Sequence, residues 1–152
     1  MAIWQFDLIF VPAGLPIPVS EGGAWAMPLL PESTVVDAHA ILSERFGQPR
    51  QMCQGILVFG SEDGNRIEVV LDDAGDGELS ARIDARLEST GFCEFLTMLA
   101  HELGSNLFSP ELGSVIDATP EALISALMSS QAWAYALDPA EALRRAAESG
   151  PQ

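Results

Sequence analysis

The chain is predicted to be α+β, with an antiparallel sheet containing a three-strand meander, in a ferredoxin-like (split βαβ) arrangement with extra C-terminal helices. Three observations lead there. Residues 55–87 form three alternating apolar runs separated by the turn dipeptides Asp63-Gly64 and Asp76-Gly77. A helical repeat of Phe92, Phe95, Leu96, Leu99 and Leu103 follows directly and supplies a cover for one sheet face. Farther on, Thr119-Pro120 and Asp138-Pro139 pair a capping residue with a proline at the first helical position. The element order is strand, helix, three strands, helix, strand and two helices, which fits helices gathered on one side of an antiparallel sheet.

Ile3 to Val11 alternates Trp4, Phe6, Leu8 and Phe10 against Gln5 and Asp7, the period of a strand with one buried face. Residues 12–31 carry five prolines and three glycines. Proline removes ladder donors and breaks helices, so this stretch is expected to be a long loop. Leu15, Ile17, Val19, Trp25, Leu29 and Leu30 make it too apolar for a free linker, so it is expected to be ordered. Such a loop either carries function or drapes over the core, and both readings stand. A helix is predicted from Glu32–Thr34 to Phe46, ended by Gly47 and Pro49, with Val35, His39, Leu42 and Phe46 on one side. His39 is expected to be packed and hydrogen-bonded.

In the last strand of the 55–87 group, Leu79, Ala81, Ile83, Ala85 and Leu87 are expected to face inward. Ser80, Arg82, Asp84 and Arg86 would then face outward, toward Glu68 and Asp72. The following helix should end at Gly104. Residues 106–118 suit a short hairpin or one irregular strand, and Ser130–Leu137 suits a helical continuation or a short strand, helix being favoured. No domain boundary is visible, so residues 1–148 are expected to form a single α+β domain with 149–152 as a frayed tail.

Charge is the extreme feature: 22 acidic residues face seven basic ones, all arginine, for a net charge of -15. Nucleic-acid binding needs a basic footprint, and anionic membranes repel a chain like this. An acidic surface either keeps an apolar protein soluble or steers a basic protein partner toward it. The composition, 48% hydrophobic and 19% charged, is that of a packed globule. There is no basic n-region before the first apolar stretch and no run of about 18–20 apolar residues, so a cytoplasmic protein is expected. Cys53 and Cys93 are expected to be free and buried.

Known catalytic and metal motifs are incomplete. His101-Glu102-Leu103-Gly104-Ser105 begins like a zinc-peptidase helix, but serine replaces the second histidine that both metal ligation and helix phase require. Asp72 to Glu78 resembles a calcium loop, yet Ala74 occupies the third position and Ile83 the twelfth. A plain turn is therefore expected there. No nucleophile elbow, P-loop or dinucleotide fingerprint occurs. No cofactor, metal or catalytic residue is assigned.

The second half resembles small, acidic, uncharacterised bacterial proteins, some of which act as immunity proteins beside polymorphic toxins. The resemblance rests on A-R-I-D-A-R, F-C-E-F-L-T-M-L-A-H-E-L, L-F-S-P-E-L-G and S-S-Q-A-W-A-Y-A-L-D-P-A-E-A-L. It implies a non-enzymatic protein that binds one partner. Together with the charge, it leads to the expectation of a protein-binding module neutralising a basic partner. Trp25, Glu62, Asp63, Asp72, Asp73 and Asp76 are the expected contact residues. A homodimeric structural protein, and a small ligand binder or enzyme with a pocket between sheet and helices, are the alternatives.

Overall fold

The computed structural model describes residues 2–148 and is α+β, an open seven-stranded antiparallel sheet with five helices among those residues. The first strand, β1 (Gln5–Pro12), lies inside the sheet. It pairs with β7 (Gly77–Asp84) on one side and β8 (Ser105–Ser109) on the other. Beyond β7 come β6 (Arg66–Leu71), β5 (Ile56–Gly60) and β4 (Arg50–Cys53), and beyond β8 lies β9 (Ser114–Ile116). Since β1 is antiparallel to both neighbours, β7 and β8 point the same way on either side of it.

Alternation sets the two faces. Leu8, Ala81, Ile67 and Phe59 are successive register partners across four strands, and all four are buried. Full burial of a Leu, Ile or Phe contributes about 1.5–3 kcal/mol each, so this row alone is a substantial part of the core. The helices lie over it. Val35, Ala38 and Leu42 come from α1 (Glu32–Phe46); Cys93, Leu96, Leu99 and Ala100 come from α2 (Thr90–Glu102). The two helices meet where Phe46 and Phe95 pack edge to face, ring centres 5.4 Å apart.

The C-terminal helices begin at side-chain caps, of which Thr119 and Asp138 are the predicted ones. Thr119 Oγ1 accepts from the Ala122 amide at the start of α3 (Pro120–Met128), and Ser130 Oγ from Trp133 in α4 (Gln131–Leu137), both at 3.2 Å. Asp138 Oδ1 accepts from the Glu141 amide in α5 (Pro139–Glu148) at 3.1 Å. No side chain of α5 is buried.

Several expectations need correction. Residues 12–31 are not all loop: β2 (Ser20–Glu21) and β3 (Ala24–Trp25) form a small hairpin. Its turn is Gly22-Gly23, with φ of 58° and 85°, the positive pair that a type I′ turn demands and that only glycine adopts freely. Strand β4 was not foreseen, because all four of its residues are exposed and no alternation marks it. The last strand of the 55–87 group stops at Asp84. A turn closed by Leu87 N–H on the Asp84 carbonyl then breaks the alternation, so Asp84 is buried and Leu87 exposed. Arg82 pairs with Asp7 and not with Glu68 or Asp72, since the register sets Asp7 directly opposite it. Cys53 is exposed, since it belongs to that edge strand, while Cys93 is buried as expected. The tail at 149–152 lies outside the described residues. No helix among the described residues is long and apolar enough to cross a membrane.

Candidate functional site

The segment between β1 and α1 is an arm fixed at two points. At its tip, Trp25 packs edge-on against Phe108 of β8, ring centres 5.0 Å apart at 73°. Phe108 is fully buried although it lies on the sheet face away from the helices, opposite Ile9. At the root, Leu30 exchanges two backbone hydrogen bonds with Gly77 at 2.8 and 3.0 Å, and its side chain enters the main core. Along this arm Leu15, Ile17, Val19 and Leu29 are 53, 61, 64 and 46% exposed. A held arm with four large apolar side chains in water is unusual for a surface segment.

The β6–β7 turn is attached to the same root. It closes through Asp72 N–H on the Asp76 carbonyl at 2.8 Å, and Asp72 Oδ1 accepts from the Ala74 amide at 2.9 Å. Asp76 Oδ1 accepts from the Glu32 amide at 3.0 Å, so this carboxylate serves the unpaired first turn of α1. Asp72 and Asp73 are exposed beside it, while Asp76 is half-buried. Glu62 and Asp63 are also exposed, but they occupy the β5–β6 turn at the other end of β6, about 20 Å away by strand length. The structure therefore joins the arm root, Asp72, Asp73 and Asp76, and separates Glu62 and Asp63 from them. Trp25 is an anchor with a half-buried ring, not a free contact.

The remaining chemistry is mostly committed. Five of the seven arginines sit in ion pairs: Arg66 with Glu68, Arg82 with Asp7, Arg86 with Asp84, and Arg144 and Arg145 with Glu141. Burial pushes the Asp84 carboxyl up, but hydrogen bonds from the Arg86 side chain and backbone more than offset it, and the group titrates below the usual carboxylate range. Arg86 in turn lies over the Trp4 ring, which packs on Tyr135 of α4. His39 Nδ1 is 3.3 Å from Ser43 Oγ and its ring meets the Phe59 edge, so it is a packed side chain. His101 is exposed, and Ser105, where a zinc helix would carry histidine, donates to the Ala100 carbonyl at 3.2 Å. Burial first, then Glu88 and Glu94, push the Cys93 thiol up to about 11, so it is a poor nucleophile. No group of three or more metal-ligating side chains occurs among the described residues. The chain matches no family model, no curated protein and no solved structure.

One cluster escaped the sequence reading. On the open face of the sheet, a cavity of about 190 Å³ lies over β7 between β1 and β6, with Ser80 and Arg82 in its wall. Arg66 and Arg82 are direct cross-strand partners there. The outward alternation of β7 hinted at this face, but the Arg66–Arg82 and Asp7–Arg82 registers had no signal in the sequence.

Proposed function

We propose that this chain is a non-enzymatic cytoplasmic protein-binding module, of the immunity or inhibitor kind, that captures a basic partner. The arm at 12–31 supplies apolar contact, and Asp72 and Asp73 at its root supply charge. The observation that carries the reading is the exposure of Leu15, Ile17, Val19 and Leu29 on an arm pinned by Trp25 and Leu30. Pinning the arm in advance lowers the entropy lost when a partner docks. The net charge of -15 favours encounter with a basic protein and disfavours acidic ones.

The test is a tagged pull-down from the native host at low and moderate salt, run in parallel with a Leu15→Ser/Ile17→Ser variant. A stoichiometric basic protein that is weakened by salt and lost with the variant supports the reading. A protein that captures nothing and migrates alone as a dimer overturns it in favour of self-association. With the partner in hand, Asp72→Asn/Asp73→Asn should slow association roughly two- to fivefold at low salt, and an unchanged on-rate removes these carboxylates from the interface.

For the architecture, we infer a ferredoxin-like split βαβ core of β1, β6, β7 and β8, with β5 extending β6 and β7 into a three-strand meander and β4 and β9 as further additions. Support comes from the order β6-β7-β1-β8, and from α2 joining two strands that flank β1. The fold carries no weight in the functional reading, because many functions share such architectures.

A further inference from the structure

We propose that the open-face cavity binds a small zwitterion of the amino-acid class, its carboxylate on the Arg82 guanidinium and its ammonium on the Glu78 carboxylate. The cavity, about 190 Å³, sits over β7. A cavity of about 150 Å³ already admits a six-membered ring, so the space suits a molecule of that size or slightly larger.

The charges here are only partly balanced within the fold. Arg66 and Arg82 stand directly opposite each other on adjacent strands, and like charges in that position destabilise a sheet. Both side chains are largely withdrawn from solvent, 14 and 25% exposed. Each guanidinium is only partly engaged. Arg66 Nη2 meets Glu68 at 2.7 Å and its Nη1 donates to the Glu62 carbonyl at 3.4 Å, while Arg82 Nε donates to Asp7 at 3.0 Å. The Arg66 Nε is buried with no acceptor. The two terminal nitrogens of Arg82 have no acceptor among the described residues, which leaves a fork of the geometry that binds a carboxylate.

On the same strand and face, Ser80, two residues before Arg82, and Glu78, four residues before it, line the cavity, and neither side chain has a hydrogen-bond partner among the described residues. Three carboxylates, from Asp7, Glu68 and Glu78, face two guanidiniums across this cavity. A simple anion meets net repulsion and a simple cation meets the arginines, whereas a molecule bearing both charges satisfies each end. Ile9 and Pro110 add an apolar wall for its carbon chain.

The test uses the full chain at low ionic strength, titrated with L-norvaline and with 5-aminopentanoate while backbone amide shifts are followed by NMR. Pentanoate and pentylamine serve as single-charge controls. Saturable shifts at Asp7, Ile9, Glu78, Ser80 and Arg82 with either zwitterion are expected, with both controls at least about tenfold weaker. Glu78→Gln and Arg82→Lys should each weaken the zwitterion by about tenfold or more. If Arg82→Lys fails to fold, Glu78→Gln, whose carboxylate has no protein partner to lose, carries the test. The proposal is overturned if neither zwitterion gives saturable shifts, if pentanoate or pentylamine binds as tightly, or if Glu78→Gln leaves affinity unchanged.

Discussion

Replacing Trp25 with alanine should release the arm and leave the sheet standing. A buried Trp→Ala change in a closed core destabilises by about 3–5 kcal/mol. Trp25 is only half-buried, so roughly half of that applies, together with about 0.5–1.5 kcal/mol for the lost edge-on contact with Phe108. A loss of about 2–4 kcal/mol results, which at this chain length lowers the Tm by about 4–16 °C. The loss also has a ceiling. Once undocking the arm requires less free energy than global unfolding, further weakening of the anchor changes the arm alone. Calorimetry should show the Tm shift, and hydrogen exchange should show where it acts. The Ala26 amide, which donates to the Val19 carbonyl at 3.1 Å, should lose protection. The Leu30 amide, held by Gly77, and the amides of β1 should keep theirs. Trp25→Phe, which preserves an aromatic edge, should recover most of the loss. Loss of protection throughout β1, or a Tm drop beyond about 20 °C, would refute the arm as a separable unit. Unchanged protection at Ala26 would refute Trp25 as its anchor.

Asp76→Ala should lower stability by about 1 kcal/mol through loss of the bond to the Glu32 amide, read as a shift in the urea midpoint; no shift would mean that water serves that amide equally well. Native protein at pH 8 should take up one equivalent of iodoacetamide, at Cys53, and two only after unfolding, because Cys93 is buried; mass spectrometry counts them. The Cys93 thiol, at 9.0 in its ordinary state and about 11 when folded, also makes stability depend on pH. The unfolded chain releases this proton first, so the contribution is intact below pH 9 and declines from about 9 to 11; Cys93→Ala should flatten that part of the urea-midpoint profile.

What was legible in the sequence is what period and caps encode. Phe6, Leu8 and Phe10 announced β1, Thr119 and Asp138 announced helix starts, and Gly47 ended α1. The hairpin in the arm had its signal as well: Gly22-Gly23 is a type I′ dipeptide, hidden by the five surrounding prolines. Other features had no local signal. Asp76 looked like surface charge because its acceptor role for α1 spans 44 residues. Asp84 was placed outward by alternation, and only the turn after it turns its carboxylate toward Arg86. Partnerships of this kind depend on register and chain reversal, which no short window contains.

The same distinction separates the two parts of the proposed interface kinetically. The ion pairs cancel locally, but a carboxylate that accepts backbone amides, such as Asp72 or Asp76, still contributes its full charge to the long-range field. Neutralising Asp72 and Asp73 removes two of fifteen net charges, so encounter should slow only modestly. Leu15 and Ile17 carry no charge and should leave encounter untouched. Their contacts form after docking and resist escape, and differences within one interface fall mainly on dissociation. Leu15→Ser/Ile17→Ser should therefore raise the off-rate by at least about tenfold with the on-rate within about twofold, measured by surface plasmon resonance against the captured partner. If the apolar pair lowers the on-rate and spares the off-rate, the arm acts in recognition before docking, and the division of labour between charge and apolar contact is wrong.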